Sequence, residues 1–221
     1  MTPGKIFYSV YREAELDVGA ASVTPRSGLA RQRLKSAALA RGLLSRMLAD
    51  VWGIAPEKVE IRAERSGRPY VEPAVSRPSP FISISHSRGW IACAATEIGP
   101  LGIDIERQRP GRDHAGIAAM AFGPREAART SNSGIGAFYR IWTLREAIAK
   151  ARGQGLALAA DGLDRVHEGP EVGQWFATLD EAAWSLSHNL IDEDTSFATA
   201  VVLPEPCQEA VRLERWVAER P

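Results

Sequence analysis

Five consecutive residues, Gly102-Ile103-Asp104-Ile105-Glu106, carry two carboxylates two positions apart. In an extended strand, side chains alternate between faces, so Asp104 and Glu106 share one face and the two isoleucines the other. Like charges held so close destabilise each other unless a cation sits between them or one carboxylate takes up a proton. Hard oxygen ligands of this kind favour Mg²⁺, Mn²⁺ or Ca²⁺ over zinc. The pattern also suits the solvated face of an edge strand, and the pentapeptide alone leaves both readings open.

A third carboxylate, Glu146, stands in Trp142-Thr143-Leu144-Arg145-Glu146-Ala147-Ile148-Ala149-Lys150, four residues before a lysine. On a helix Glu146 and Lys150 share a face. One reading is an ordinary i,i+4 salt bridge worth about 0.2–0.5 kcal/mol. The other makes Glu146 the third member of a carboxylate set, with Lys150 placed to neutralise a phosphate. Mg²⁺ fills its remaining positions with water and phosphate oxygens, so three carboxylates suffice. Ser85 and His86 invite comparison with a hydrolase dyad, but neighbours on a strand point to opposite faces and do not readily form the activating Ser–His hydrogen bond.

These residues need elements to hold them. Alternation predicts strands over Lys5 to Tyr11, Val59 to Ala63, Phe81 to Ser85, Trp90 to Thr96 and Leu101 to Glu106, with antiparallel pairing suited to the short connections among the last three. The turn Ser66-Gly67-Arg68-Pro69 follows the second strand, and a Pro- and Ser-rich stretch covers Pro73 to Pro80. An apolar stripe of Leu29, Leu34, Leu39, Leu43, Met47 and Leu48 predicts a helix from Ser27 to about Asp50. Short helices are expected over Ala115 to Met120 and Arg125 to Thr130, and a long one over Gly136 to Ala151, with Phe138, Ile141, Trp142, Ile148 and Ala149 on its apolar side. Strands follow over Gln174 to Thr178, Ala183 to His188 and Ser196 to Leu203, then an amphipathic segment from Gln208 to Val217.

The second part of the chain echoes the first. Ser83-Ile84-Ser85-His86 with Ile91-Ala92-Cys93-Ala94-Ala95 resembles Ser185-Leu186-Ser187-His188 with Phe197-Ala198-Thr199-Ala200-Val201. A duplicated unit is the economical explanation. Because His188 has the local sequence of His86 without the acidic motif, a purely structural role for His86 also stays open.

The 221 residues are 45% hydrophobic and 24% charged, the composition of an ordinary soluble protein. A net charge of zero gives no global attraction to nucleic acid or a membrane surface. The exception is local: between Asp17 and Asp50 lie Arg26, Arg31, Arg33, Lys35, Arg41 and Arg46 and no acid. Two cysteines without metal spacing and the lack of a secretory leader point to a reducing cytoplasm. No apolar run approaches the roughly 18 residues of a membrane span.

The acidic pentapeptide and the Trp142–Lys150 segment together resemble the signature of the 4′-phosphopantetheinyl transferase superfamily, in its monomeric, two-half (Sfp-like) bacterial type. Ser66-Gly67-Arg68-Pro69 is similar to that family's Gly-Lys/Arg-Pro turn, and Phe81-Ile82-Ser83-Ile84-Ser85-His86-Ser87 to its Phe-Asn-x-Ser-His-Ser segment. The four motifs fall in the family's order between about residues 66 and 156. The last sixty residues match only in general pattern.

The resemblance implies transfer of the phosphopantetheine arm of coenzyme A to a serine of an apo acyl or peptidyl carrier protein, releasing 3′,5′-ADP. It implies Mg²⁺, with Mn²⁺ acceptable to the same donors, held by Asp104, Glu106 and Glu146, and Lys150 on the pyrophosphate. Ser85 and His86 would contact the nucleotide and Arg68 a phosphate. Among the basic residues, Lys35 and Arg41 are the choices for ligand contact, and others would attract an acidic carrier. Whether Glu146 also accepts the serine proton stays open. Arg145 replaces the family's usual lysine, and arginine essentially never deprotonates.

The expected fold is α/β (α+β). It has two similar halves, residues 1–110 and 111–221, each a small mainly antiparallel sheet with a packed helix, related by a pseudo-twofold with the site between them. Competing readings are a metal-dependent phosphohydrolase and a coenzyme-A-fold module that binds carriers without modifying them. A monomer is expected.

Overall fold

The computed structural model describes residues 4–16, 28–55, 58–72, 79–153, 166–168, 172–205 and 211–218. In chain order the elements are β1 (Lys5–Arg12), α1 (Gly28–Trp52), β2 (Glu60–Ala63), β3 (Pro69–Glu72), β4 (Phe81–Ser87), β5 (Trp90–Thr96) and β6 (Leu101–Arg107). There follow α2 (His114–Ala121), α3 (Pro124–Arg152), β7 (Val166–Glu168), β8 (Gln174–Leu179), β9 (Ala182–Asp192), β10 (Thr195–Leu203) and β11 (Arg212–Arg215).

Two sheets carry the fold. The first runs β11-β1-β5-β4 and the second β6-β10-β9-β8-β7, while β2 and β3 form a separate hairpin. All described pairings are antiparallel except β1 with β11. β5 is buried along its whole length, the burial expected of a central strand covered on both faces. Ile6, Val10 and Ala92 from the first sheet meet Ile103, Ile105, Phe197 and Val201 from the second in a shared core. On the outer face of the first sheet α1 buries Leu39, Leu43, Leu44, Met47 and Leu48 against Ile82, Ile91 and Cys93. On the outer face of the second, α3 buries Leu144, Ala147, Ile148 and Ala151 against Leu186, Ala198 and Ala200. Each sheet therefore has its own helix, as the α+β expectation requires.

The echoed segments occupy matching places. The hairpin β4–β5 carries Ser83 to His86 and the hairpin β9–β10 carries Ser185 to His188. β1 flanks β5 as β6 flanks β10, both antiparallel. β6 thus pairs within the five-stranded sheet, so sheet membership does not follow a division at residue 110. The chain crosses between the sheets over residues 97–100, and β5 and β6 do not pair although they are neighbours in sequence.

Several details differ from the sequence expectation. Leu34 is 52% exposed, because it shares a helix face with the exposed Ala38 and Arg41 while the buried side of α1 runs through Ser36, Leu39, Leu43 and Met47. The two helices expected over Arg125 to Thr130 and Gly136 to Ala151 run together as α3, kinked at Gly134, whose φ of 75° only glycine adopts without strain. Arg212–Arg215 forms a strand at the first sheet's edge, and β3 and β7 are additional strands. Residues 208–210 of the amphipathic segment and 73–78 of the Pro- and Ser-rich stretch lie outside the described residues. Among the described residues no helix is long and apolar enough to cross a membrane.

Candidate active site

Strand periodicity sets the site. Ile103 and Ile105 point into the core between the sheets, and Gly102, Asp104 and Glu106 take the other face of β6. A Cβ on Gly102 would run into the Ala147 carbonyl and lie 2.6 Å from the Ala151 amide nitrogen, so glycine lets α3 lie directly on β6. That contact brings Glu146 and Lys150, one turn apart on α3, against the β6 carboxylates.

Lys150 Nζ is 2.7 Å from Asp104 Oδ1 and donates to Ser85 Oγ at 2.8 Å. Ser85 Oγ donates in turn to Asp104 Oδ1 at 2.8 Å. Ser87 Oγ donates to Glu106 Oε2 at 2.7 Å. Asp104 is only 4% exposed, which rules out a merely solvated edge face, and the ion pair of Lys150 is with Asp104 across on β6. The other edge of β6 is closed by β4. The hydroxyls of Ser83, Ser85 and Ser87 accept from the amides of Ile103, Ile105 and Arg107 at 3.0, 3.3 and 3.5 Å, bridging the two sheets through side chains.

Three carboxylates share this space with too little positive charge to satisfy them. Burial, then the charge of Asp104, pushes the Glu106 carboxyl up, against the Ser87 hydrogen bond, Lys150 and Arg112. Glu146 is pushed up to about 7, first by burial and then by Asp104, with Glu106 adding and Lys150 opposing. Asp104 Oδ2 is buried without a hydrogen-bond partner among the described residues. Among the described residues no group of three or more His, Cys, Asp or Glu side chains is arranged to hold a metal ion as it stands. An orphaned carboxylate oxygen and two carboxyls that favour protonation are nevertheless what a set of hard oxygen donors shows when it lacks a cation. The residues fit a divalent ion.

Lys150 also borders a cleft of about 180 Å³ lined by Ser66, Gly67, Arg68, Ser83 and Gly153 among others, so the Gly-Arg-Pro turn and the lysine face one space. A neighbouring cavity of about 320 Å³ shares Arg68, Pro69 and Ile82 with it and adds Tyr70 and Phe81. His86 separates from Ser85: it is exposed and shares the face of β4 that carries Ile82 and Ile84, away from Asp104. Lys35 and Arg41 are exposed on α1, and no described contact ties them to the carboxylates; Arg26 lies outside the described residues.

Arg145 turns away from the cluster. Its guanidinium donates to the Ala121 carbonyl at 2.7 Å, lies 3.3 Å from Glu126 Oε2 and covers the Phe122 ring. It is a buried tie between α2 and α3. Ser87 and Arg112 are the neighbours of Glu106 that sequence reading missed. The recurrence of serine at 83, 85 and 87, in step with 103, 105 and 107, was a signal for the first, and nothing in the sequence pointed to Arg112.

Carboxylates thus gather round one lysine, beside a cleft lined by a second cation, Arg68. A family model for the 4′-phosphopantetheinyl transferase superfamily matches residues 100–202, the span from β6 through β10. The chain is 30% identical over 170 residues to a 4′-phosphopantetheinyl transferase of Bacillus subtilis, covering 75% of this chain and 73% of that one. It is 28% identical over 165 residues to the 4′-phosphopantetheinyl transferase HetI of Nostoc sp., covering 73% and 68%. To the 4′-phosphopantetheinyl transferase Sfp of Bacillus subtilis strain 168 it is 28% identical over 148 residues, covering 65% and 62%. The chain belongs to the 4′-phosphopantetheinyl transferase superfamily, as its four motifs led us to expect.

Proposed function

We propose that this protein moves the 4′-phosphopantetheine group of coenzyme A onto a serine of an apo acyl or peptidyl carrier protein, acting as a cytoplasmic monomer of the holo-acyl-carrier-protein synthase type. The observation that carries this reading is Lys150, which faces both the buried carboxylates and the cleft lined by Arg68. In the reaction the carrier serine oxygen forms a bond to the pantetheine-bearing phosphorus. The bond from that phosphorus to the bridging pyrophosphate oxygen breaks, 3′,5′-ADP departs, and the hydroxyl proton passes to Glu146 or to solvent water. Such transfers need positioning and charge neutralisation more than covalent help from the enzyme.

Asp104, Glu106 and Glu146 would hold Mg²⁺, or Mn²⁺ by the same donors. When bound, the ion supplies positive charge to the pyrophosphate oxygens. Lys150 neutralises the same group from α3, and Arg68 meets a phosphate across the shared cleft. Ser85, which also holds Asp104 and Lys150 together, is assigned with His86, Lys35 and Arg41 to the nucleotide end, and the other basic residues of the N-terminal segment to an acidic carrier. The nucleophile arrives on the carrier, so the chain needs none of its own.

The test is intact-protein mass spectrometry of apo carrier proteins incubated with the protein, coenzyme A and Mg²⁺. A gain of one phosphopantetheine, abolished by chelation and by Glu146→Gln, is expected. Coenzyme A binding without any gain on any carrier would favour a binding module. ADP release without carrier would favour a phosphohydrolase.

A further inference from the structure

Three hydroxyls on β4 meet three amides on β6, yet they are not equivalent. Ser83, Ser85 and Ser87 all accept from β6 backbone N–H groups. An amide and an ammonium can only donate, so each serine still has its own proton to place. Ser85 places it on Asp104 and Ser87 on Glu106, each carboxylate belonging to the residue just before the amide that the serine accepts from. Ser83 stands where the preceding β6 residue is Gly102, which has no carboxylate to receive it.

We infer that Ser87 is the positioning residue for Glu106: its hydroxyl, bonded to the 107 amide, fixes which carboxylate oxygen is occupied and which is presented to a cation. The inference rests on the reading that Asp104, Glu106 and Glu146 are the cation ligands. The geometry separates a structural from a positioning role. A serine that merely closes the seam between the sheets does what Ser83 does, and the 2.7 Å contact to Glu106 Oε2 is additional. Partners of this kind, one bond removed from the ion, orient ligands and typically carry a tenfold or larger share of metal affinity. In the echoed hairpin Ser187, the counterpart of Ser85, bonds to Thr199 inside its own hairpin at 2.7 Å, and Asn189 stands where the first hairpin has Ser87.

The test is a titration with Mn²⁺, following the free-ion electron paramagnetic resonance signal, on the full chain without coenzyme A. Wild type, Ser87→Ala, Ser87→Thr and Ser83→Ala are compared after circular dichroism shows each folded. Ser87→Ala should bind Mn²⁺ about tenfold more weakly. Ser87→Thr, which keeps the hydroxyl, should restore most of the affinity, and Ser83→Ala should bind as wild type does. Unchanged Mn²⁺ affinity in folded Ser87→Ala would overturn the inference, as would an equal loss in Ser83→Ala, which would make the ladder only structural. Wild-type transfer activity is measured separately. Transfer without the expected Mn²⁺ pattern sinks this inference alone, and the Mn²⁺ pattern without transfer sinks the proposed reaction alone.

Discussion

Lys150 Nζ sits 2.7 Å from Asp104 Oδ1 and 2.8 Å from Ser85 Oγ, so one ammonium joins α3 to a strand of each sheet. Removing it should do more than lose a ligand contact. In Lys150→Met the three carboxylates lose the cation closest to them, and carrier modification should fall by about 100-fold or more, the scale seen when one transition-state charge stabiliser is deleted. Melting in the absence of metal should show a larger loss of stability at pH 8 than at pH 5, where Glu146 carries a proton. Equal losses at both pH values would mean that Lys150 does not serve the carboxylates.

The second prediction concerns pH. Glu146 has a folded-state pKa of about 7, above its ordinary 4.5, through burial and the charges of Asp104 and Glu106. The folded chain therefore binds more protons than the unfolded chain between these values, and stability falls as pH rises from about 4.5 to 7. Above that window the loss is complete. Metal-free wild type should melt lower at pH 8 than at pH 5, and Glu146→Gln, which mimics the protonated group, should flatten much of that slope. Differential scanning calorimetry across the range checks it. The direction for Glu106 is the same, so some slope should persist in the variant.

Gly102→Ala should be costly in two ways. The added methyl meets backbone on α3 rather than the tip of a flexible side chain, so helix and strand must part. Overpacking of this kind costs about 1–3 kcal/mol, to be read from urea denaturation. Transfer should fall even in protein that is fully folded at the assay temperature, because Glu146 and Lys150 ride on the displaced helix. A variant as active as wild type would show that the contact does not set the site.

Glu126 and Arg145 are both almost wholly buried, at 4% and 3% side-chain exposure. Glu126→Gln leaves the guanidinium without its carboxylate and should cost about 3–5 kcal/mol. A double replacement, Glu126→Gln with Arg145→Met, should recover a large part of that loss. A double-mutant cycle in urea reads the coupling directly. Independent effects would mean that the contacts to Ala121 and Phe122, not the ion pair, anchor the segment.

The faces on which the candidate site residues lie were legible in the sequence, and the reason is periodicity. Asp104 and Glu106 repeat every two residues and Glu146 and Lys150 every four, so the faces they occupy follow from strand and helix geometry alone. What periodicity could not show was which strands lie side by side. β5 and β6 look like one more hairpin because four residues separate them, yet the chain changes sheets there. Leu34 was placed in the core because it is apolar, but nine residues before Leu43 it lies on the opposite side of the helix, with the exposed Ala38 and Arg41. His86 could be separated from Ser85 by alternation, whereas the bond from Ser87 to Glu106 depends on β4 lying beside β6, which only the tertiary fold supplies.

The strand β11 returns to lie parallel to β1 at the edge of the first sheet, and the segment after it stays close. Ser9 Oγ donates to the Trp216 carbonyl at 2.9 Å, the Trp216 amide to the Tyr8 carbonyl at 2.8 Å, and the Ala218 amide to the Tyr11 hydroxyl at 2.8 Å. On the ribosome the partner for the open edge of β1 therefore emerges roughly two hundred residues after β1 itself. At the translation rate of about 5–20 residues per second, that edge waits on the order of ten seconds or more as an unpaired template. For that interval β5 covers only the opposite edge of β1, and the nascent chain depends on the exit tunnel or on a chaperone to keep the open edge from pairing elsewhere.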